Sequence, residues 1–290
     1  MPKLALPAAW GAAEFSRSRS FEIDSAYTGQ RYRILLGLPH RAAGDTGYPV
    51  LWALDGLASF PLMEFARPRP VSEHESPAWR ARIGDQPAGL TVAIGYASGE
   101  PMDVNARALD YTPQLAGAGD AFSPQHGGAI AFLAFLKEEL RPYLAHYFTL
   151  DEQRHTLFGF SYGGLFTLHT LSTAPQHFQR YWAASPSLWF GDHATLKHLP
   201  QRIDQLGDEM SVVQVMITVG KEEQWPSGEI DAATRLKLAE RKMVQNAERF
   251  AQILQQQAGV AVEFQNLADH DHYDMLMHGA RRVVEFAFAE

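Results

Sequence analysis

The chain contains no cysteine among its 290 residues. It therefore has no disulfide, no thiolate metal ligand and no cysteine nucleophile, while its compartment stays open. Positive charge is also scarce, since 25 Lys and Arg stand against 33 Asp and Glu, which gives a formal net charge of −8. This balance argues against nucleic acid as a partner, because phosphate binding needs concentrated Lys and Arg.

The sequence also lacks a long apolar run. No stretch approaches the ~20 residues that a membrane-spanning helix needs. Residues 1–13 contain one lysine and a mildly apolar stretch broken by two prolines, which is similar to a poor or truncated signal peptide. We therefore expect a soluble, cytoplasmic chain as written, or a periplasmic one if a signal peptide is missing. The oligomeric state stays open.

Strand-like runs alternate with helical patterns along most of the chain. The runs with strand character are 31–38, 49–55, 90–95, 155–160, 180–185, 213–220 and 260–267. Several of them are continuously apolar, as is typical of strands covered on both faces. Apolar spacings of three and four predict helices over 128–146, 234–257 and 276–288. The alternation implies crossover connections, so we predict an α/β fold with a central, mostly parallel sheet flanked by helices.

Two stretches interrupt the alternation. Residues 60–89 are rich in Pro, Arg and Glu, and residues 97–127 are rich in Gly, Pro, Asp and Ala. Loops this long are uncommon in compact domains unless they are lids or functional insertions. We therefore expect loop insertions at 60–89 and 97–127 within a single domain over 21–290, which follows an N-terminal extension, 1–20.

The most informative segment is the pentapeptide Gly159-Phe160-Ser161-Tyr162-Gly163, a G-x-S-x-G motif. An apolar run with strand character precedes it, and a helical pattern follows it. A strand that turns sharply into a helix exposes the serine hydroxyl at the carboxyl edge of a sheet, and glycines leave room for the crossing backbone. The motif therefore predicts Ser161 as a nucleophile.

A serine hydroxyl is a poor nucleophile unless a base takes its proton, and that base is usually a histidine oriented by a carboxylate. In α/β-hydrolases the chain order is Ser, acid, His. The acid should follow the last but one predicted strand, where Glu222 and Glu223 stand, and the histidine should follow the last strand, where His270 and His272 stand. We favour Glu223 and His272, the latter because it directly precedes the final helical pattern.

The negative oxygen that forms during acyl transfer needs two backbone N–H groups. One should come from Tyr162, the residue after the nucleophile. The other should come from the loop after an early strand, where Asp55-Gly56-Leu57 stands. Leu57 is the candidate for this second donor.

Taken together, these motifs resemble the esterase group of α/β hydrolases, and most closely its siderophore (enterobactin/salmochelin) trilactone esterases. The resemblance covers most of 21–288, and its segments are 48–56, 93–96, 107–113, 135–143, 157–165, 185–189 and 219–223. The glutamate of the family's G-x-x-E motif falls on Glu223, and the histidine of its closing motif falls on His272. The resemblance implies ester hydrolysis through an acyl-enzyme, without a cofactor or a metal.

The resemblance also implies a substrate, namely a catecholate siderophore trilactone, free or ferric, or a related small ester. Arg107, in the motif R-x-x-D-Y-T-P, would then lie beside the site and suit an anionic, flat-faced tris-catecholate. The alternative is an arginine that holds its own loop through Asp110. Trp189 either faces the acyl pocket or packs at its edge. Leu57 departs from the family, which often has Asn there.

Other functions stay open. An acyltransferase of the same fold would pass the acyl group to an alcohol instead of water, and a general short-chain carboxylesterase would share the site. A metal hydrolase would use His270 and His272, but no cluster of the HExxH kind supplies a third ligand. A binding protein would keep the fold and lose catalysis.

Overall fold

The structure is a computed structural model, and it describes residues 15–40, 42–67, 76–77, 89–115, 125–206 and 213–289. Eight strands in these ranges form one sheet; they are β1 (Ser18–Asp24), β2 (Arg31–Gly37), β3 (Tyr48–Ala53), β4 (Leu90–Tyr96), β5 (Leu150–Phe160), β6 (Arg180–Ala184), β7 (Val213–Gly220) and β8 (Val260–Leu267). Their order is β1-β2-β4-β3-β5-β6-β7-β8. The pairs from β4 to β8 are parallel, while β2 is antiparallel to β1 and β4. The predicted mostly parallel sheet is confirmed.

Helices lie on both faces of the sheet. They are α1 (Gly56–Ala66), α2 (Val104–Tyr111), α3 (Ala129–Ala134), α4 (Arg141–Ala145), α5 (Tyr162–Thr173), α6 (Phe190–Lys197), α7 (Leu199–Leu206), α8 (Ala232–Arg241), α9 (Met243–Leu254) and α10 (His272–Phe288). One apolar core packs against α5 and α9, and a second packs against α1 and α10. Burial on both faces explains why the inner strands are continuously apolar.

Two predicted helices differ from those observed, and one observed strand was not predicted. The predicted helix 234–257 is divided into α8 and α9, because Lys242 has a left-handed backbone with φ 49°. The predicted helix 128–146 contains a π-helical turn, Phe135–Leu140, between α3 and α4. The edge strand β1 is absent from the predicted strands because its residues are only partly buried, and it begins at Ser18, inside the segment 1–20.

The two expected insertions are only partly described. The first residues of 60–89 belong to α1, and most of the remainder lies outside the described residues. The stretch 97–127 contains α2, and residues 116–124 lie outside the described part.

The parallel strands bring several loops to one edge of the sheet. The carboxyl ends of β3, β5, β6, β7 and β8 lead into the segments that carry Asp55, Ser161, Ser185, Glu223 and His272. In open α/β sheets this is the edge where ligands bind. In the described part of the chain, no helix has the length and apolar character needed to cross a bilayer.

A buried histidine makes the stability of this sheet sensitive to acid. His155 lies in β5 with no exposed surface, and its Nδ1 accepts a hydrogen bond of 2.9 Å from Trp52 Nε1. Burial, reinforced by nearby Arg141, lowers the pKa of His155 to about 3. The unfolded chain therefore binds one more proton than the folded chain between about pH 3 and the ordinary histidine pKa of about 6.5, so stability falls as the pH falls through this window.

We therefore expect His155→Phe to flatten the pH dependence of the free energy of unfolding between pH 4 and 6 by about 1.4 kcal/mol per pH unit. Urea unfolding at several pH values measures this slope. His198→Gln, which changes an exposed histidine, serves as the control and should keep the wild-type slope. An unchanged slope in His155→Phe would contradict the prediction.

Candidate active site

The structure has the strand–turn–helix that the pentapeptide predicts. Ser161 lies between β5 and α5 with φ 59° and ψ −114°, a strained backbone for a residue with a side chain. Two neighbouring glycines are needed for close approach. A Cβ at Gly159 would lie 2.1 Å from the carbonyl oxygen of Gly163, and one at Gly164 would lie 2.9 Å from that of Ala184. The elbow therefore holds the Ser161 hydroxyl at the carboxyl edge of the sheet.

The structure brings Ser161, His272 and Glu223 together. Ser161 Oγ lies 3.1 Å from His272 Nε2. On the other side of the ring, His272 Nδ1 lies 2.5 Å from Glu223 Oε2. With the ring proton on Nδ1, His272 donates to the carboxylate and its Nε2 accepts from the serine hydroxyl, which is the arrangement that activates a serine nucleophile.

Glu223 is fixed by its own hydrogen bonds. It is 4% exposed, and its Oε1 accepts from Ser185 Oγ at 2.5 Å and from Gly220 N at 2.7 Å. Glu222, the other glutamate that the sequence offers, accepts instead from Ser227 N. Of the two glutamates, Glu223 is therefore the one that can orient His272.

His272 is placed by the start of α10. The side chain of Asp271 caps this helix by accepting from the N–H groups of Tyr273 and Asp274 at 2.8 and 3.0 Å, and Asp274 Oδ2 accepts from Asp271 N at 2.9 Å. This reciprocal pair is a capping box. The ring of Phe160 also packs against the imidazole, with 4.6 Å between centroids. The cap and the aromatic contact together hold His272 in position.

His270, the other histidine that follows β8, has a different environment. Its Nδ1 lies 2.7 Å from the carbonyl oxygen of Ala268. Both ring nitrogens of His272 are used by Ser161 and Glu223. Among the residues that the structure describes, no group of three or more His, Asp or Glu is arranged to hold a metal ion.

The two predicted oxyanion donors lie in the first turns of helices. Tyr162 is the first residue of α5, and Leu57 is the second residue of α1. Backbone N–H groups in a first turn have no acceptor within their own helix, and they attract negative charge. The two helix starts are neighbours, since a Cβ at Gly163 would lie 3.5 Å from Asp55 Oδ2. This arrangement suits stabilisation of an oxyanion beside Ser161.

Residues 25–273 match the family model described as "Putative esterase". The chain belongs to this esterase family. It is 29% identical over 272 residues to ferri-bacillibactin esterase BesA of Bacillus subtilis, an alignment that covers 91% of this chain and 87% of BesA. It is 32% identical over 235 residues to the siderophore triacetylfusarinine C esterase of Aspergillus fumigatus, with 76% of this chain and 75% of the relative covered.

Among solved structures, the BES protein from Bacillus cereus is similar, with a TM-score of 0.78 and 25% identity. The match covers 98% of this chain and 100% of the Bacillus cereus protein. The expected α/β-hydrolase fold and the expected class of carboxylic ester hydrolase are thereby confirmed.

Arg107 of the esterase is buried in an ion pair. Its Nε and Nη2 donate to the two carboxylate oxygens of Asp55 at 2.9 and 2.8 Å, and Nη2 also donates to the carbonyl oxygen of Phe160 at 3.1 Å. Burial alone would lower its pKa, but Asp55 raises the pKa of Arg107 above its usual range. Arg107 is 7% exposed, whereas a substrate-binding cation needs an accessible guanidinium.

Asp110, the expected alternative partner of Arg107, has other partners. It accepts hydrogen bonds from Gln30 Nε2 at 2.7 Å, from Tyr32 OH at 2.8 Å and from Tyr96 OH at 3.1 Å. The interpretation in which Arg107 holds its own loop through Asp110 is therefore wrong. The cause is tertiary packing, which places β2 and β4 beside Asp110 and the end of β3 beside Arg107.

Trp189 lies close to the nucleophile but is only partly buried. Two residues before it, Ser187 Oγ lies 3.3 Å from Ser161 Oγ. The ring of Trp189 is 5.9 Å from that of Tyr162, and Arg241 Cζ lies 4.1 Å from the centroid of the indole ring. Arg241 thus places a cation over the ring of Trp189, which packs near the ring of Tyr162, the residue after Ser161.

A cavity of about 540 Å³ is lined in part by His272. Its lining combines apolar and acidic side chains and includes Leu238 from α8, Ile230, Tyr273, Asp269 and Glu223. Such a cavity can hold part of a small ligand beside His272.

For four residues of the site, the sequence gives no signal of the partner that each one contacts, although three of them lie in segments that carry the family resemblance. They are Asp55, Ser185, Ser187 and Arg241, and each acts through a partner distant in the chain. Asp55 and Ser185 do share one local trait, a positive φ of 51° and 45° respectively. That trait belongs to the folded backbone and is not visible in the residue types.

The two adjacent glutamates provide a matched test of the acid. We expect Glu223→Gln to lower kcat for a simple ester by about 10³–10⁴-fold, because His272 would lose its orienting carboxylate. Ser161→Ala and His272→Ala should each cost still more. Glu222→Gln, one residue away, should keep kcat within about twofold of wild type. Steady-state kinetics decide, and equal losses in both glutamate variants would contradict the assignment.

Proposed function

We propose that this esterase hydrolyses a siderophore ester through an acyl-enzyme on Ser161. The observation that carries the proposal is the continuous chain of contacts from Ser161 Oγ to His272 and from His272 to Glu223, at 3.1 and 2.5 Å. Each contact has the length of a hydrogen bond, so the serine proton has a defined acceptor.

In the first half of the reaction, Ser161 Oγ attacks the carbonyl carbon of the ester while His272 Nε2 takes the hydroxyl proton. The N–H groups of Tyr162 and Leu57 stabilise the oxyanion that forms, and Glu223 stabilises the protonated imidazole. The tetrahedral intermediate then collapses, the ester C–O bond breaks, and His272 returns the proton to the leaving alcohol. The acyl group remains on Ser161.

In the second half, His272 takes a proton from water, and the resulting hydroxide equivalent attacks the acyl carbonyl carbon. The second tetrahedral intermediate uses the same two N–H groups. Its collapse breaks the bond to Ser161 Oγ, which regains a proton from His272, and releases a carboxylic acid.

The relatives support a siderophore as the substrate. Four of them carry names that refer to bacillibactin, salmochelin, triacetylfusarinine C and enterobactin. Within this group we favour a catecholate trilactone, because Arg241 places a cation over the flat ring of Trp189, two residues after Ser187, whose Oγ lies 3.3 Å from Ser161 Oγ. Catechol rings stack on such surfaces, and their anionic complexes attract arginine.

The experiment that tests the proposal is hydrolysis of an enterobactin-type trilactone, with the products identified by mass spectrometry. We expect linear esters and free acids from the wild-type protein and an intact trilactone from Ser161→Ala. Addition of an alcohol acceptor should leave these products unchanged. Transfer of the acyl group to the alcohol, or no reaction of any siderophore ester, would contradict the proposal.

A selectivity measurement tests the role of Arg241. We expect Arg241→Gln to lower kcat/KM for the anionic trilactone by about 10-fold or more, because a cation on the aromatic surface is lost, and to lower it by less than about twofold for neutral p-nitrophenyl butyrate. Arg235→Gln, on an exposed position of the same helix, is the control and should leave both values unchanged. Equal losses on the two substrates would count against this role.

A further inference from the structure

The guanidinium of Arg107 contacts both backbone segments that carry the oxyanion donors. Asp55 directly precedes Gly56 and Leu57, and Phe160 directly precedes Ser161. One nitrogen, Nη2, donates to Asp55 Oδ2 at 2.8 Å and to the carbonyl oxygen of Phe160 at 3.1 Å. The starts of α1 and α5 are thus connected through a single side chain that comes from α2.

Both connected turns are strained. Asp55 has φ 51° and ψ 50°, and Ser161 has φ 59° and ψ −114°. Non-glycine residues keep such a backbone only where surrounding contacts enforce it. At Asp55 these contacts include the two bonds from Arg107 and a hydrogen bond of 3.3 Å from its own N–H to Tyr111 OH. The direction of the Leu57 N–H therefore depends on the ion pair.

The negative charge of Asp55 gives the ion pair of Asp55 and Arg107 a second effect. The Asp55 carboxylate is 1% exposed, and it lies against the first turn of α5, where the oxyanion would form. A bare carboxylate there would repel the developing negative oxygen, and poor solvation would strengthen the repulsion. Arg107 neutralises the negative charge of Asp55, and its hydrogen bonds to Asp55 still hold the backbone turn at that residue.

We propose that Arg107 is a positioning residue for the oxyanion hole, which sets the Leu57 and Tyr162 N–H groups relative to each other by holding Asp55 and Phe160. The inference rests on the proposed function, since it requires an oxyanion formed by attack of Ser161. It assigns Arg107 to transition-state geometry in place of the direct substrate contact expected from the sequence.

A second buried arginine supplies a matched control. Arg67 lies next to the opposite end of α1, where it donates to Glu64 Oε1 at 3.1 Å and to the carbonyl oxygens of Gly89 and Gly37 at 3.0 and 3.2 Å. The side chains of Arg67 and Glu64 are 5% and 6% exposed. Arg67 therefore reproduces the burial, the carboxylate partner and the carbonyl contacts of Arg107 without contacting either oxyanion segment.

The test compares Arg107→Gln, Arg67→Gln and the double variant Asp55→Asn/Arg107→Gln. Each is assayed with p-nitrophenyl butyrate per active site, counted by fluorophosphonate labelling, and with an alkyl boronic acid that forms an anionic tetrahedral adduct on serine. We expect Arg107→Gln to lower kcat and weaken boronate binding by about 10²-fold each, with KM within about threefold. The double variant should recover about 10-fold of kcat, because no bare carboxylate remains.

Arg67→Gln should lose thermal stability but keep kcat per active site and boronate affinity within about threefold. If Arg107→Gln behaves in the same way as Arg67→Gln, Arg107 is only a structural ion-pair partner and the inference is overturned. If Arg107→Gln does not fold, Arg107→Lys decides, since a lysine keeps the charge but cannot make both bonds to Asp55. Its boronate affinity should fall at least 10-fold, and wild-type affinity would overturn the inference.

Failure of the proposed function gives a different result. In that case the wild-type protein would neither hydrolyse the ester nor bind the boronic acid at Ser161, and both ideas would fall together. A wild-type protein that is active and labelled, with an Arg107→Gln variant of equal kcat and boronate affinity, overturns the positioning role alone.

Discussion

The hydrogen bond between His272 Nδ1 and Glu223 Oε2, at 2.5 Å, is the contact on which the site depends. It joins the carboxyl end of β7 to the segment after β8, and β6 connects both to the nucleophile. Ser185, just after β6, donates to Glu223 Oε1, while the carbonyl oxygen of Ala184 accepts from Ser161 N at 2.9 Å. The register of the parallel strands therefore sets the positions of Ser161, Glu223 and His272.

The site has two sides that differ in their chemistry. On one side, the buried carboxylate of Glu223 contacts His272 Nδ1. On the other, the ion pair of Asp55 and Arg107 lies beneath the two helix starts. Glu223 and the pair of Asp55 and Arg107 are deeply buried, whereas α8, which carries Arg241, contains no buried residue. The contacts among Ser161, His272 and Glu223 are therefore held by the sheet edge, and the proposed recognition of the substrate comes from an exposed element, as is common in enzymes.

Much of this site could be predicted from the sequence. The G-x-S-x-G motif fixes the local backbone at Ser161, and the chain order of the parallel strands determines which residues lie at the carboxyl edge of the sheet. These two rules predict that Ser161, Glu223 and His272 meet, and the structure shows the contacts between them. The pairing of Arg107 with Asp55 could not be predicted from the sequence, since Asp55 is 52 positions away in the chain and Asp110 is a nearer acidic residue. The break at Lys242 was equally hidden, because the apolar periodicity continues across it and a left-handed residue other than glycine carries no local signal.

The most direct measurement is peptide mapping by mass spectrometry after treatment with a fluorophosphonate, with residual esterase activity followed in the same samples. An acyl-enzyme on Ser161 predicts one modified peptide, which contains residues 159–163, and loss of activity in proportion to its labelling. Complete modification of Ser161 with activity retained, or loss of activity through modification at another residue, would contradict it.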